Sequence, residues 1–306
     1  MPEADSLYFR ILGELYRHPA LRESGRESYA QLAKDLGIDD STVRSALERM
    51  QRSGFLKAWS ISLNPRALGM ECASILVKTC EPVQSKQRIV SQLKLVEGVV
   101  LIISFLDDPG FRLVFYYSDE VDLDRKIRLV SSICGVDNPS ASWKIPFPRC
   151  DMKLKKTDWE IARLIFKDSR KNFSEIAKDI GVSTRTVRRR LTLMAEGSSF
   201  FSNPVVDVKK VDGFVYFFLV SYRNTKEKSV SDAGLRKEIE RIIFLDSNAE
   251  LYTVIAAVCK NVSGAEKISD RLKVRDGVKE VLVRVVEDMI IVDDWIDHEL
   301  EKRARD

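Results

Sequence analysis

Ser174 to Met194 reads SEIAKDIGVSTRTVRRRLTLM, and its spacing is typical of two short helices joined by a tight turn. Gly181 stands where that turn requires a positive φ, which glycine adopts without steric cost. Ser183 can cap the second helix by accepting a hydrogen bond from a free backbone N–H of its first turn. This arrangement is typical of the element with which a protein reads nucleic acid.

The second helix of this stretch has one apolar face and one basic face. Val187, Leu191 and Met194 are spaced i, i+4 and i+7, which predicts a stripe that packs inward. The arginines at 185, 188 and 189 are left on or near the outward face, where an inserted helix meets phosphates and base edges. The alternative is an ordinary helical hairpin with a solvated basic face.

The same stretch occurs a second time, 144 residues earlier, as AQLAKDLGIDDSTVRSALERM from Ala30 to Met50. The copies align without a gap across 37 positions, so chance is a poor explanation. The chain is therefore predicted to be a duplication of a unit of about 150 residues. The identical pairs include Ala33 and Ala177, Gly37 and Gly181, Thr42 and Thr186, Val43 and Val187, Arg44 and Arg188, Leu47 and Leu191, Met50 and Met194, and Gly69 and Gly213.

Each copy continues with further strand and helix patterns. Alternation around Trp59, Ile61 and Leu63, followed by Asn64-Pro65, predicts a short hairpin, the wing of a winged helix. The order βαββαβ follows, which predicts a ferredoxin-like domain. In the first copy the strands are expected at 72–79, 99–105, 111–117 and 141–145 and the helices at 83–93 and 121–133. In the second they are expected at 215–222, 242–245, 251–258 and 278–286, with helices at 233–241 and 262–272.

The predicted fold class is α+β, with two winged helix-turn-helix domains alternating with two ferredoxin-like domains. The expected boundaries are 1–66 for the first winged helix-turn-helix and 67–150 for the first ferredoxin-like domain. The second winged helix-turn-helix is expected at 151–210, and 211–306 should hold the second ferredoxin-like domain with a helical tail.

We call each winged helix-turn-helix domain a head. The positive charge of the chain is concentrated on the second head. The formal net charge is only +4, but residues 153–210 hold 14 lysines and arginines against 7 acids. Residues 1–66 hold 10 against 9. A local basic surplus of this kind is the electrostatic footprint that a polyanion requires.

The composition argues against several other classes of protein. No apolar run reaches the roughly 18 residues of a membrane span, and the acidic N-terminus lacks a signal pattern, so we expect a cytoplasmic protein. The five cysteines are scattered without a CxxC pair, which favours reduced thiols. His18 and His298 are the only histidines, so no catalytic residue, metal site or cofactor is expected.

The two heads resemble those of the Lrp/AsnC family of leucine-responsive regulators. The matching stretches are YAQLAKDLGIDDSTVRSALERM with GFLKAWSISLNPRALG, and FSEIAKDIGVSTRTVRRRLTLM. The resemblance implies a winged helix-turn-helix followed by a βαββαβ domain that dimerises and senses amino acids. It also implies double-stranded DNA as the partner. The predicted DNA contacts are Ser41, Thr42, Arg44 and Ser45 in the first head and Thr184, Arg185, Thr186, Arg188 and Arg189 in the second.

The resemblance further implies an amino-acid-like effector at the hinge between the second and third strands of each ferredoxin-like domain. The family usually has a glycine and an aspartate close together there. The first copy has them in a different order, and the second has no glycine. The candidate effector residues are Asp107, Asp108, Gly110, Asn248 and Glu250.

A duplicated chain has a geometric consequence for its site on DNA. Family dimers place two identical heads on palindromic half-sites, whereas one chain with two dissimilar heads would form a pseudo-dimer on an asymmetric site. We therefore expect a single chain to hold both heads as a pseudo-dimer. Assembly of several such chains into a homo-oligomer is an additional possibility.

Two other functions remain as alternatives. The nearly neutral first head fits a protein-binding adaptor whose heads no longer bind DNA. Fused two-unit chains with this architecture also resemble sirohaem decarboxylases, which depend on histidines in the ferredoxin-like half. Here His18 lies in a head loop and His298 in the tail, so neither is placed for that chemistry.

Overall fold

The computed structural model describes residues 2–17, 29–79, 86–106, 110–232, 234–247 and 249–305. The chain divides into two compact units. The sheet unit comprises Met1–Gly13, Cys72–Pro146 and Val208–Val292, and the head unit comprises Glu14–Glu71, Phe147–Asp207 and Asp293–Asp306. Both helix-turn-helix elements lie in the head unit and both βαββαβ segments lie in the sheet unit. The division into four domains along the sequence stays a prediction.

The secondary structure confirms the α+β class. The helices are α1 (Pro2–Arg17), α2 (Tyr29–Leu36), α3 (Asp40–Arg52), α4 (Lys86–Lys94), α5 (Glu120–Ile133), α6 (Lys156–Ile165), α7 (Phe173–Ile180), α8 (Thr184–Glu196), α9 (Thr225–Asp232), α10 (Leu235–Glu238), α11 (Val262–Lys273) and α12 (Asp294–Arg305). The strands are β1 (Leu56–Leu63), β2 (Glu71–Lys78), β3 (Val99–Phe105), β4 (Gly110–Tyr117), β5 (Ala141–Ile145), β6 (Phe200–Val206), β7 (Phe214–Tyr222), β8 (Ile242–Asp246), β9 (Tyr252–Cys259) and β10 (Val278–Ile291). No helix in the described part of the chain is long and apolar enough to cross a membrane.

The two helix-turn-helix elements, α2–α3 and α7–α8, have the predicted turns. Gly37 and Gly181 adopt φ values of 66° and 70°, in the left-handed region that glycine enters freely. The side chain of Ser183 accepts a hydrogen bond from the backbone N–H of Thr186 at 3.1 Å, as expected for the cap of α8. Asp39 occupies the corresponding position before α3 but makes no capping hydrogen bond through its side chain.

The predicted wing hairpin is wrong, because each head contributes one strand and the two strands pair with each other. β1 of the first head runs antiparallel to β6 of the second, from Leu56 opposite Val206 to Leu63 opposite Phe200. After β1 the chain forms a 3-10 turn from Pro65 to Leu68, which Gly69 ends with φ 76°, and β2 begins at Glu71.

A buried asparagine fixes the end of this paired wing. Asn64 is fully buried at the end of β1, and its amide nitrogen donates to the carbonyl oxygens of Pro148 at 2.9 Å and Ser198 at 2.8 Å. Its side-chain oxygen accepts from the backbone N–H of Arg66 at 3.0 Å. One side chain therefore joins three segments of the head unit.

The strands of the sheet unit form one sheet in the order β5-β2-β4-β3-β10-β7-β9-β8. Each copy supplies four consecutive strands of that order, which is the arrangement of a ferredoxin-like βαββαβ unit. β10 joins the two half-sheets, since its first part pairs with β7 and its second part with β3. This double pairing explains why β10 extends to Ile291, beyond the predicted end at Val286.

The faces of the two half-sheets that are turned away from their helices pack on each other. Trp143 of β5 contacts Tyr252 of β9, with ring centroids 5.3 Å apart. Arg112 of β4 is 2% exposed and lies 5.5 Å from the ring centroid of Phe217 on β7. Burial lowers the pKa of Arg112 to about 10, although the charge of Asp246 opposes this shift. A cation is thus enclosed between the two copies.

One helix of the second copy differs from its prediction at 233–241. The chain instead forms α9 and the short α10, with Gly234 between them at φ 88°. The side chain of Asn224 accepts a hydrogen bond from the backbone N–H of Glu227 at 2.9 Å, which starts the helix earlier. Ala233 lies outside the described residues.

An internal ion pair fixes α8 against α6. Arg190, the fourth arginine of α8, points inward and its guanidinium donates through Nε and an Nη to both carboxylate oxygens of Asp158, which is fully buried. The backbone N–H of Lys155 also donates to Asp158 at 2.7 Å. Ala46 occupies the corresponding position of the first head, so this pair belongs to the second head alone.

Replacing Arg190 by glutamine should destabilise the protein by about 3–5 kcal/mol, because it leaves the buried carboxylate of Asp158 without its charge partner. Urea unfolding followed by circular dichroism would measure this. The matched control is Arg189→Gln on the exposed face of the same helix, which should shift stability by less than about 0.5 kcal/mol. Equal effects of the two substitutions would contradict a stabilising role for the pair.

Candidate nucleic-acid interface

The recognition helices α3 and α8 present the same pattern of exposure. Arg44 and Arg188 are exposed, and both lie one position after a fully buried valine. Of the predicted DNA contacts, only the two threonines at 42 and 186 are half-buried. The others are exposed at equivalent places: Ser41, Arg44 and Ser45 in α3 and Thr184, Arg185, Arg188 and Arg189 in α8.

The opposite face of each recognition helix forms the core of its head. Val187, Leu191 and Met194 are at most 1% exposed, which confirms the predicted apolar stripe of α8. Val43 and Met50 of α3 are fully buried at the equivalent places. With these side chains anchored inside, the arginine face of each helix is held toward solvent.

An aromatic ring orients one arginine in each head. The guanidinium carbon of Arg44 lies 5.0 Å from the ring centroid of Tyr29, and that of Arg188 lies 5.7 Å from the ring centroid of Phe173. Tyr29 and Phe173 are the first residues of α2 and α7 and are themselves 144 positions apart. A cation placed over an aromatic face is attracted by the ring quadrupole. These two rings were not identified from the sequence, although an aromatic residue at the same place in both copies was a signal.

The two heads differ in the charge beside this arginine. Arg44 forms an ion pair with Asp40 at 3.3 Å, one helical turn earlier. Thr184 stands at the corresponding position of α8, and Ser183 stands where the first head has Asp39. Among the residues that the structure describes, neither Arg188 nor Arg189 pairs with an acid. The exposed basic face is therefore stronger on α8 than on α3.

The structure provides a cavity near some of the candidate effector residues. A cavity of about 450 Å³ in the sheet unit is lined by Gly110, Tyr222 and Tyr252, among others, together with the cations Lys78, Lys279 and Arg284. Glu250 is exposed and does not line it. A Cβ atom at Gly110 would lie 2.7 Å from the carbonyl oxygen of Val77, so glycine is required there by packing. Asp107, Asp108 and Asn248 lie outside the described residues.

The titratable groups of the described chain are not arranged as a metal centre. No group of three or more histidine, cysteine, aspartate or glutamate side chains within the described ranges could hold a metal ion. His298 lies on α12, which belongs to the head unit and not to either βαββαβ segment. His18 lies outside the described residues.

Comparison with protein families identifies both heads. Residues 154–194 match the AsnC-type helix-turn-helix domain, and residues 9–57 match a winged helix-turn-helix DNA-binding domain. The two matches cover α6 to α8 and most of α1 to α3.

The chain is similar to several archaeal and bacterial regulators. An HTH-type transcriptional regulator of Pyrococcus furiosus is 35% identical over 62 residues, which is 20% of this chain and 42% of that protein. One of Pyrococcus horikoshii is 23% identical over 155 residues, covering 50% of this chain and 99% of that regulator. The regulatory protein AsnC of Haemophilus influenzae is 25% identical over 100 residues, 33% of this chain and 63% of its own length. For the first of these, the match thus spans less than half of the relative.

A solved structure matches nearly the whole chain. The siroheme decarboxylase NirDL superposes with a TM-score of 0.58, covering 97% of this chain and 98% of that one at 12% identity. At that identity the likeness concerns the fold alone, over nearly the whole of both chains. Together, these comparisons show that the chain carries two helix-turn-helix domains, the second of AsnC type, and that it is similar to HTH-type transcriptional regulators and to the regulatory protein AsnC.

Proposed function

We propose that the protein is a DNA-binding transcriptional regulator whose two dissimilar heads act as a pseudo-dimer on an asymmetric site. The observation that carries the proposal is the equivalent exposure of Arg44 and Arg188 on two recognition helices whose heads share one wing sheet. The proposal includes the cytoplasmic location that the sequence led us to expect.

The second head supplies most of the attraction to the phosphate backbone. Arg185, Arg188 and Arg189 present three cations on α8, whereas α3 presents Arg44 beside Asp40. Phosphate contacts dominate the affinity of most DNA-binding proteins and fix their register, while base-edge contacts give specificity. The first head then mainly refines where the chain sits.

One chain suffices to hold both heads. Pairing of β1 with β6 joins the heads, and pairing of β3 with β10 joins the half-sheets, both within one chain. In a two-chain family dimer, the equivalent contacts would come from separate subunits. Higher assemblies remain compatible with this arrangement.

The cavity of the sheet unit is the place we assign to a small-molecule effector. The lining contains the three cations Lys78, Lys279 and Arg284 and one acid, Glu280, and this surplus of positive charge favours a ligand with a carboxylate. An amino-acid-like molecule fits this chemistry.

An enzymatic role is the second candidate, because the full-length fold match is to a siroheme decarboxylase. The regulator relatives and the helix-turn-helix domains favour a role without catalysis. So does the position of His298 on α12, since imidazole is the commonest general acid or base. Adding sirohaem to the protein should therefore give no decarboxylated product by mass spectrometry. Product formation would favour the enzyme.

Replacing Arg188 by alanine should weaken DNA binding and reduce the slope of log K against log salt by about 0.9, the loss of one phosphate contact. Arg44→Ala should reduce it less, because Asp40 already neutralises part of its charge. Fluorescence anisotropy on genomic fragments at several salt concentrations would measure both. Lys273→Ala, on an exposed residue of α11, is the control and should leave the slope unchanged.

The substitution Asp40→Thr would give the first head the residue that the second head has at the equivalent position, Thr184. Loss of the acid should strengthen binding and increase the salt slope, because Arg44 is released toward phosphate. If neither the affinity for DNA nor the salt slope changes, the first head lies away from the DNA. Absence of any salt-sensitive binding by the unchanged protein at low ionic strength would favour the adaptor instead.

A single chain should protect both half-sites of one operator. Analytical ultracentrifugation of the complex, combined with footprinting, should give one chain per asymmetric footprint whose half-sites are about one helical turn apart. An obligate pair of chains on each footprint would overturn the pseudo-dimer.

A further inference from the structure

An arginine of the second head reaches into the first head. Arg170 lies in the loop between α6 and α7, and its guanidinium carbon is 4.0 Å from the ring centroid of Trp59 on β1. The same carbon is 5.2 Å from the ring centroid of Tyr29 on α2, and an Nη donates to the Tyr29 hydroxyl at 3.4 Å. Burial lowers the pKa of Arg170, against the influence of Tyr29 and Asp168. The guanidinium is thus withdrawn from solvent between two rings of the other head.

The ring of Tyr29 is shared with the recognition helix of the first head. Arg44 also lies over this ring, at 5.0 Å from its centroid. The three side chains Arg44, Tyr29 and Arg170 therefore connect α3 of one head to the α6–α7 loop of the other. In the second head, Phe173 takes the place of Tyr29 and has no hydroxyl to accept such a bond.

The loop that carries Arg170 is itself fixed to both wing strands. The backbone N–H of Ser169 donates to the carbonyl oxygen of Trp59 at 2.9 Å, and its hydroxyl lies 3.0 Å from that of Ser202 on β6. The backbone N–H of Arg170 donates to the side chain of Asp168 at 2.9 Å. Arg170 therefore projects from a fixed base and not from a free loop.

The wing sheet by itself leaves freedom that Arg170 removes. A two-stranded sheet twists more than a larger one and is marginally stable alone. In the first head, α3 connects to β1 through residues 53–55 only, so we expect α2 and α3 to tilt together if the ribbon twists. A bond from the second head to the start of α2 restrains this tilt at its far end.

We propose that Arg170 is a positioning residue that fixes the first recognition helix relative to the second and so sets which half-site spacing the protein accepts. This inference rests on the proposed function. Half-site spacing follows the separation of recognition helices, so a change of tilt at α3 alters the spacing that both heads can fit.

Arg170→Met keeps the length of the side chain and removes its charge. Selection from random DNA should recover one dominant spacing for the unchanged protein and several spacings for the variant. Affinity for the dominant site should fall roughly five-fold, as expected for a cation–π contact of ordinary strength. Arg163→Met, on an exposed arginine of α6, is the matched control and should keep the single spacing.

A second measurement needs no DNA. Spin labels on unnatural amino acids at positions 49 and 193, equivalent places on α3 and α8, report the distance between the recognition helices. The distance distribution should be narrow in the unchanged protein and broader in Arg170→Met. Tyr29→Leu removes the ring that Arg170 contacts on α2 and should broaden the distance distribution in the same way.

The two readouts separate the inference from the proposed function. If the unchanged protein binds no DNA, the proposed function fails. The label distances then still decide whether Arg170 fixes the heads. If it binds DNA but Arg170→Met keeps both the single spacing and the narrow distance distribution, the positioning role is overturned and the DNA-binding function stands.

Discussion

The pairing of β1 with β6 is the interaction on which the arrangement of the heads depends. A strand buries its apolar side chains only when its backbone groups also find partners, because an unpaired buried amide costs about as much as a lost hydrogen bond. In the part of the chain that the structure describes, β1 and β6 form a two-stranded sheet, so neither pairs with a strand of its own head. Each strand satisfies the other, so a single ribbon carries both heads. Asn64 closes one end of this ribbon, and the loop that holds Ser169 bonds to its middle at Trp59 and Ser202.

The same solution recurs in the sheet unit with a different strand. Each four-stranded half-sheet would present open edges, and an open edge invites pairing with another chain. β10 covers the β3 edge of the first half-sheet while remaining part of the second. The duplicated chain therefore joins its copies twice by backbone hydrogen bonds, once in each unit. The backbone hydrogen bonds hold the two half-sheets together, and side-chain contacts such as that of Arg112 with Phe217 add to them.

The repeat made the heads predictable, because helix-turn-helix geometry is encoded locally. Gly37, Gly181 and Ser183 and the apolar stripe of α8 all lie where the spacing places them. The wing was wrong because the partner of β1 is distant in sequence, and alternation shows that a strand exists but not what it pairs with. The predicted helix at 233–241 is wrong for a local reason, since the side chain of Asn224 caps the chain earlier and starts the helix there. In the candidate interface, the exposure of the arginines was predictable from the spacing. The aromatic rings beneath them and the contact of Arg170 with the first head were not, because they depend on the tertiary structure of the heads.

Fusion of two copies into one chain lets each copy change without the other. In a dimer of identical chains, every substitution appears in both heads, so a gain of charge on one recognition helix is a gain on both. Here Arg190 pairs with the buried Asp158, while Ala46 holds the corresponding place in the first head. Likewise Thr184 leaves Arg188 unpaired with an acid where Asp40 partly neutralises Arg44. The second head can then bind phosphate more strongly than the first, because the first head is held on the same DNA by its attachment to the second. This division of roles requires a fixed distance between the heads, to which the shared ribbon and the contacts of Arg170 both contribute and which a flexible linker would not supply.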